Sequence, residues 1–135
     1  MAYARLYLSF LFIFLASTLS AGELYRIPGI YPGEAVLTVD GMEVKLWNKT
    51  VHFKNGNQIY FGRNGEYIFI DGETGTAQKG TYEFFRNGRA CAKFHNGRAR
   101  CDHFVRSGPN MIMLIGSGER WFIQVIQSAK PGEEY

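Results

Sequence analysis

Apolar and polar residues alternate over short distances along most of the chain, and turn dipeptides interrupt the alternation at close intervals. In Thr81-Tyr82-Glu83-Phe84, Tyr82 and Phe84 share one face and Glu83 takes the other, the period of two that marks a half-buried strand. Runs rich in β-branched and aromatic residues recur at 35–39, 42–47, 50–53, 58–62, 66–70, 80–85, 90–95, 99–105, 111–115 and 120–126. Asp40-Gly41, Asn55-Gly56, Asn64-Gly65, Asp71-Gly72, Asn87-Gly88 and Asn96-Gly97 lie between them, each able to place a residue at positive φ without strain. Beyond the N-terminal segment no stretch shows helical spacing with caps over three turns. Together these signals predict an all-β domain, an antiparallel meander of about 8–10 short strands forming a curled sheet or small barrel, with a sandwich as the open alternative.

The N-terminus follows a different pattern. Arg5 is the only charge before Glu23, residues 6–16 form an almost unbroken apolar run, and Ala16-Ser17-Thr18-Leu19-Ser20-Ala21-Gly22 supplies small residues. A positive start, a short apolar core and a small-residue region describe a secretory signal peptide, and the run is too short to span a bilayer. The chain therefore reads as a signal peptide over 1–21, cut after Ala21 or Ser20, and an extended lead-in over 22–34. A β domain over 35–127 and a flexible tail over 128–135 complete it. Pro28 and Pro32 underlie the lead-in, because proline removes ladder donors. The expected address is periplasmic or extracellular, with no stable membrane span once the signal is removed.

Composition adds little to the fold but narrows the class. Of 135 residues, 46% are hydrophobic and 16% aromatic, which excludes a disordered chain, and the length suits one domain. The formal charge of +3 conceals an asymmetry. Arg86, Arg89, Lys93, Arg98, Arg100 and Arg106 crowd one stretch with a single acid, Asp102, whereas residues 23–83 hold eight acids and six cations. Local excess of one sign attracts the other, so these six cations are the candidate ligand-binding residues, for an anionic glycan, lipid or protein.

Cys91 and Cys101 are the only cysteines, and in an exported chain an even count favours a disulfide. A three-residue loop His95-Asn96-Gly97 would set the two directly opposite each other, at a separation suited to bonding. A two-residue loop at Asn96-Gly97 would instead pair Ala92 with Cys101 and send the cysteines to opposite faces. The compartment favours the disulfide.

No constellation of catalytic residues stands out. The three histidines are His52, His95 and His103, and no Gly-x-Ser-x-Gly elbow is present. His95, Cys101 and His103 lack the close paired spacing of a zinc site. Gly116-Ser117-Gly118 has no following helix to cradle a phosphate. No cofactor, metal or nucleic acid is expected.

The succession Trp47, Tyr60-Phe61-Gly62-Arg63-Asn64-Gly65, Gly80-Thr81-Tyr82, Ala90-Cys91, Arg100-Cys101 and Gly118-Glu119-Arg120-Trp121-Phe122 resembles the short secreted proteins of rhizobia and related alphaproteobacteria grouped as domain of unknown function 995. The resemblance covers roughly residues 40–126. It implies a bacterial envelope address and a β-rich fold, and it carries over no activity and no site residues. The expected role is non-enzymatic binding of an acidic or amphipathic ligand. The alternative is a small secreted inhibitor of a protease or lysozyme, acting through a loop such as Ser107-Gly108-Pro109-Asn110.

Overall fold

The structure is a computed structural model that describes residues 27–132; the signal peptide expected over 1–21 lies outside the described residues. Eight consecutive strands form an antiparallel meander: β2 (Lys49–Phe53), β3 (Gln58–Phe61), β4 (Glu66–Ile70), β5 (Ala77–Phe85), β6 (Arg89–Phe94), β7 (Ala99–Ser107), β8 (Asn110–Leu114) and β9 (Arg120–Gln127). Pairing of β9 with β2 closes them into a barrel. A short strand, β1 (Ala35–Val36), pairs with β7 at Val105 and Arg106, beyond the Arg89–His103 pair where β6 begins.

The punctuation of the sequence becomes the corners of this barrel. Loops 54–56, 63–65, 95–97 and 116–118 share one three-residue geometry, each ending in a glycine at φ between 87 and 89°. That left-handed position is why the repeated Asn-Gly dipeptide suits the site.

Residues 42–47 and the Asp40-Gly41 dipeptide depart from expectation: instead of a turn and a strand they form a helix, α1 (Val39–Leu46). Thr38 caps it, its Oγ1 accepting from the Gly41 amide at 3.0 Å, while Asp40 in the first turn and Lys45 in the last suit the helix dipole. Met42 and Leu46, four residues apart, are completely buried against the barrel interior. A helix of two turns is too short to display the periodicity that would announce it. Its contacts reach both β2 and β5, so it crosses one end of the barrel.

The lead-in also differs from the extended form expected. Pro28-Gly29 and Pro32-Gly33 make two successive turns, with the glycines at φ 85 and 84°, the geometry a Pro-Gly pair is suited to. These turns lie over an outer apolar cluster of Ile27, Val105, Ile112 and Leu114. The start of the expected flexible tail is likewise held. Thr50 Oγ1 donates to the Ala129 carbonyl, and Lys130 pairs with Glu66 at 3.1 Å.

Inside, an eight-stranded barrel has room for side chains or one small ligand. Here the side chains fill it. Phe61 is 1% exposed and meets Tyr67, Tyr82 and Phe104 edge to face, with centroids 5.0–5.7 Å apart. Burying such a ring contributes about 1.5–3 kcal/mol, and edge-to-face pairing adds to it. Tyr82 donates its hydroxyl to the Gly62 carbonyl at 2.7 Å, and burial pushes its pKa up to about 12.

Candidate functional site

With the lumen occupied by aromatic rings, the space for a ligand lies at the periphery, where the strands part. β8 pairs with β9 only from Ile112 to Leu114, opposite Arg120–Phe122. At the bulge opposite His52 and Phe53, β9 turns to follow β2, while β8 stays on β7 as far as Asn110. The seam between β8 and β9 therefore opens toward the helix end of the barrel. A cleft of about 570 Å³ occupies the gap, with Val44, Met111, Ile123, Val125 and Ile126 as its apolar lining. A second cleft of about 300 Å³ lies on the other side of α1, against Val36, Leu37 and Arg106. The two share Lys45, Pro109, Asn110 and Met111.

The lining of this paired cleft is chemically one-sided. Lys45, Lys49 and Arg106 line it, and no acid does. Lys49 Nζ donates to the Val44 carbonyl at 3.1 Å, which holds its charge at the C-terminal end of α1. Lys45 and Arg106 have no ion-pair partner among the described residues. Apolar surface is left open beside them, since Val44 is 75% exposed and Val125 42%.

The six cations singled out in the sequence are not one patch. Arg106 borders the α1 cleft. Arg86 and Arg89 line a separate cleft with His103. Lys93 borders the shallow surface beside the disulfide, and Arg98 sits past the Asn96-Gly97 turn at the opposite end of the barrel. Arg100 points inward, which corrects its reading as a surface ligand residue. It pairs with Ala92, and Asp102 pairs with Ala90, so the small alanines on β6 leave room inside for both charged side chains. Arg100 Nε and Nη2 donate to the two Asp102 oxygens at 2.7 and 3.0 Å. Its guanidinium carbon lies 5.4 and 5.2 Å from the Phe69 and Trp121 rings. Trp121 Nε1 is buried at this end without a hydrogen-bond partner, and burial raises the pKa of Tyr67, which neighbours the pair.

Cys91 and Cys101 are bonded, and the three-residue loop sets the register. Phe94 N–H donates to the Arg98 carbonyl at 2.8 Å and Gly97 N–H to the Phe94 carbonyl at 3.0 Å, which puts Cys91 opposite Cys101 with Cα atoms 4.1 Å apart. The two-residue alternative is thereby ruled out. The bond lies on the outer face, because the alternate residues Ala90, Ala92 and Phe94 are the buried ones.

The loop considered for inhibition is a tight two-residue connection, Gly108-Pro109, with Ser107 and Asn110 paired across its base. Lys45, Lys49 and Met111 escaped the sequence reading because nothing local links them. Only the closed barrel brings α1 beside the parted strands. Among the described residues no group of His, Cys, Asp and Glu is arranged to hold a metal, and no helix there is long and apolar enough to cross a membrane. Comparison with protein-family models, curated proteins and solved structures returned no match.

Proposed function

We propose that this chain is an exported, non-enzymatic binding domain whose ligand is an acidic amphiphile held in the cleft between α1 and the parted strands β8 and β9. The observation that carries this reading is the conjunction of an open apolar lining with Lys45, Lys49 and Arg106 and no acid. Binding sites of this kind are mostly apolar, with a few polar groups that set orientation. The alkyl part of the ligand lies on Met111, Ile123 and Ile126, and its anionic head faces Lys45 and Arg106. The disulfide and the signal-peptide pattern of the N-terminal sequence support the exported address.

The test is a titration of the mature protein with dodecanoate, followed by native mass spectrometry and intrinsic fluorescence. A saturable one-to-one complex is expected, together with its loss in the double variant Lys45→Glu, Arg106→Glu. Absence of saturation in the unaltered protein, or equal binding by the double variant, overturns the reading.

A further inference from the structure

A separate cleft, of about 500 Å³, lies where β5 turns into β6. Its lining is Phe85, Arg86, Asn87, Arg89 and His103. Strand register assembles it, since Phe85 pairs with Arg89 and Arg89 with His103. Three strands thus bring an aromatic ring, a guanidinium and an imidazole into one row. The tight turn holding Asn87 and Gly88, at φ 65 and 67°, adds Arg86 at the end of that row. Gly88 is required there, because a Cβ would come within 2.4 Å of the Phe104 carbonyl oxygen. Its own carbonyl accepts from the Phe104 amide at 2.7 Å, so the turn is fixed against β7.

The charge in this cleft is uncompensated. Arg100 and Arg120 each bind a carboxylate, whereas Arg86 and Arg89 have none among the described residues, and no acid lines the cleft. Arg89 instead rests on the Phe85 ring, its guanidinium carbon 4.7 Å from the centroid. Stacking on an aromatic face stiffens a guanidinium and leaves its N–H edge free for planar, bidentate recognition. Neither the His103 imidazole nor the Asn87 side-chain amide is hydrogen-bonded to a described residue.

We infer that this cleft binds a phosphate group, its oxygens gripped by Arg86 and Arg89 with His103 donating from its imidazole. A phosphate monoester carries about −1.5 to −2 charges and three strong acceptor oxygens, which suits two guanidinium forks and one ring nitrogen better than a single carboxylate does. The site shares no residue with the α1 cleft, so each stands or falls separately.

The surroundings of His103 give the site a pH dependence. Burial, and then Arg89 across on β6, hold its imidazole below the ordinary range, while Asp102 on its own strand acts in the opposite direction. Arg86 comes from the adjoining turn, and the β8 partner, Leu114, is apolar. The negative charge of a bound phosphate offsets the repulsion by Arg89, so occupancy raises the pKa of His103.

The experiment is a titration of the mature protein with inorganic phosphate, followed through the imidazole resonances of His103 by NMR. A saturable shift is expected, with the His103 titration displaced upward, and chloride at equal ionic strength should reproduce neither. The double variant Arg86→Glu, Arg89→Glu should keep its melting temperature and bind roughly ten- to hundredfold more weakly, as expected for lost charge-assisted hydrogen bonds. A His103 signal indifferent to phosphate, or an equal response in the double variant, overturns the inference. Co-sedimentation with phosphatidate vesicles but not phosphatidylcholine vesicles assigns the phosphate to a lipid headgroup. Competition by glucose 6-phosphate without vesicle retention assigns it to a soluble molecule.

Discussion

The guanidinium of Arg120 closes on the carboxylate of Glu34 across 86 residues of chain, and in doing so fastens the lead-in to the outside of the barrel. Arg120 Nη1 also donates to the Gly29 carbonyl at 2.8 Å, its guanidinium lies 4.0 Å from the centre of the Tyr31 ring, and the Tyr31 amide donates to Glu34 at 2.8 Å. One arginine at the start of β9 thus organises both lead-in turns.

That pairing makes stability depend on pH in a defined window. The hydrogen bond from Arg120, with help from the Tyr31 amide, lowers the Glu34 pKa from 4.5 to about 2. The unfolded chain therefore binds more protons than the folded one between these values. Glu34 contributes its full stabilisation above about pH 5 and loses it as the pH falls toward 2. Denaturant unfolding of the unaltered protein and of Glu34→Gln should differ by a constant amount near neutrality, and the difference should vanish near pH 2. A difference that persists undiminished would contradict the assignment.

Arg100 and Asp102 test the cost of placing charge inside. Removing one partner strands the other in a poorly solvated interior, so Arg100→Ala should lower the unfolding free energy by about 3–5 kcal/mol. Replacing both, as in Arg100→Met with Asp102→Leu, should be much milder, because paired charges often do no better than apolar residues of similar size. Ala92→Leu takes the space that Arg100 occupies and should cost about 1–3 kcal/mol by overpacking. Urea unfolding of the three variants checks the order.

Opening the disulfide should weaken the barrel without dismantling it. Cys91 and Cys101 are ten residues apart, and closing so short a loop restricts the unfolded chain by about 2–3 kcal/mol. The Cys91→Ser, Cys101→Ser variant should unfold at lower denaturant with an unchanged far-UV spectrum. The native protein should show no reactive thiol before reduction.

Ligand chain length reports on the α1 cleft. Each methylene withdrawn from water is worth about 0.8 kcal/mol. Decanoate should therefore bind up to about fifteenfold more weakly than dodecanoate. Chain-length indifference would mean that the apolar lining takes no part. Arg98→Glu, at the opposite end of the barrel, should leave this affinity unchanged.

Much of the fold was legible because its determinants are local. Tyr82 and Phe84 alternate with Glu83, and the Asn-Gly pairs fall where a left-handed residue is needed, so strands and corners follow from neighbours in sequence. Helix α1 was hidden by length, since Met42 and Leu46 alone do not make a periodicity and Asp40-Gly41 is equally a turn signal. The Pro-Gly pairs of the lead-in carried their turn geometry, but their place against β8 and β9 depends on Arg120.

The sequence by itself determined an all-β chain, its hairpin corners and a cysteine pair ready to bond, because each rests on residues within a few positions of one another. Only the tertiary structure decided which cations face a ligand. Arg100 turned inward because Ala90 and Ala92 on the next strand leave room. Arg86 and Arg89 met His103 through strand register. Lys45 and Arg106 came to one cleft because α1 packs beside β1 and the β7–β8 turn. Side-chain alternation can be read along a strand, but what stands across from it is set by pairing and closure.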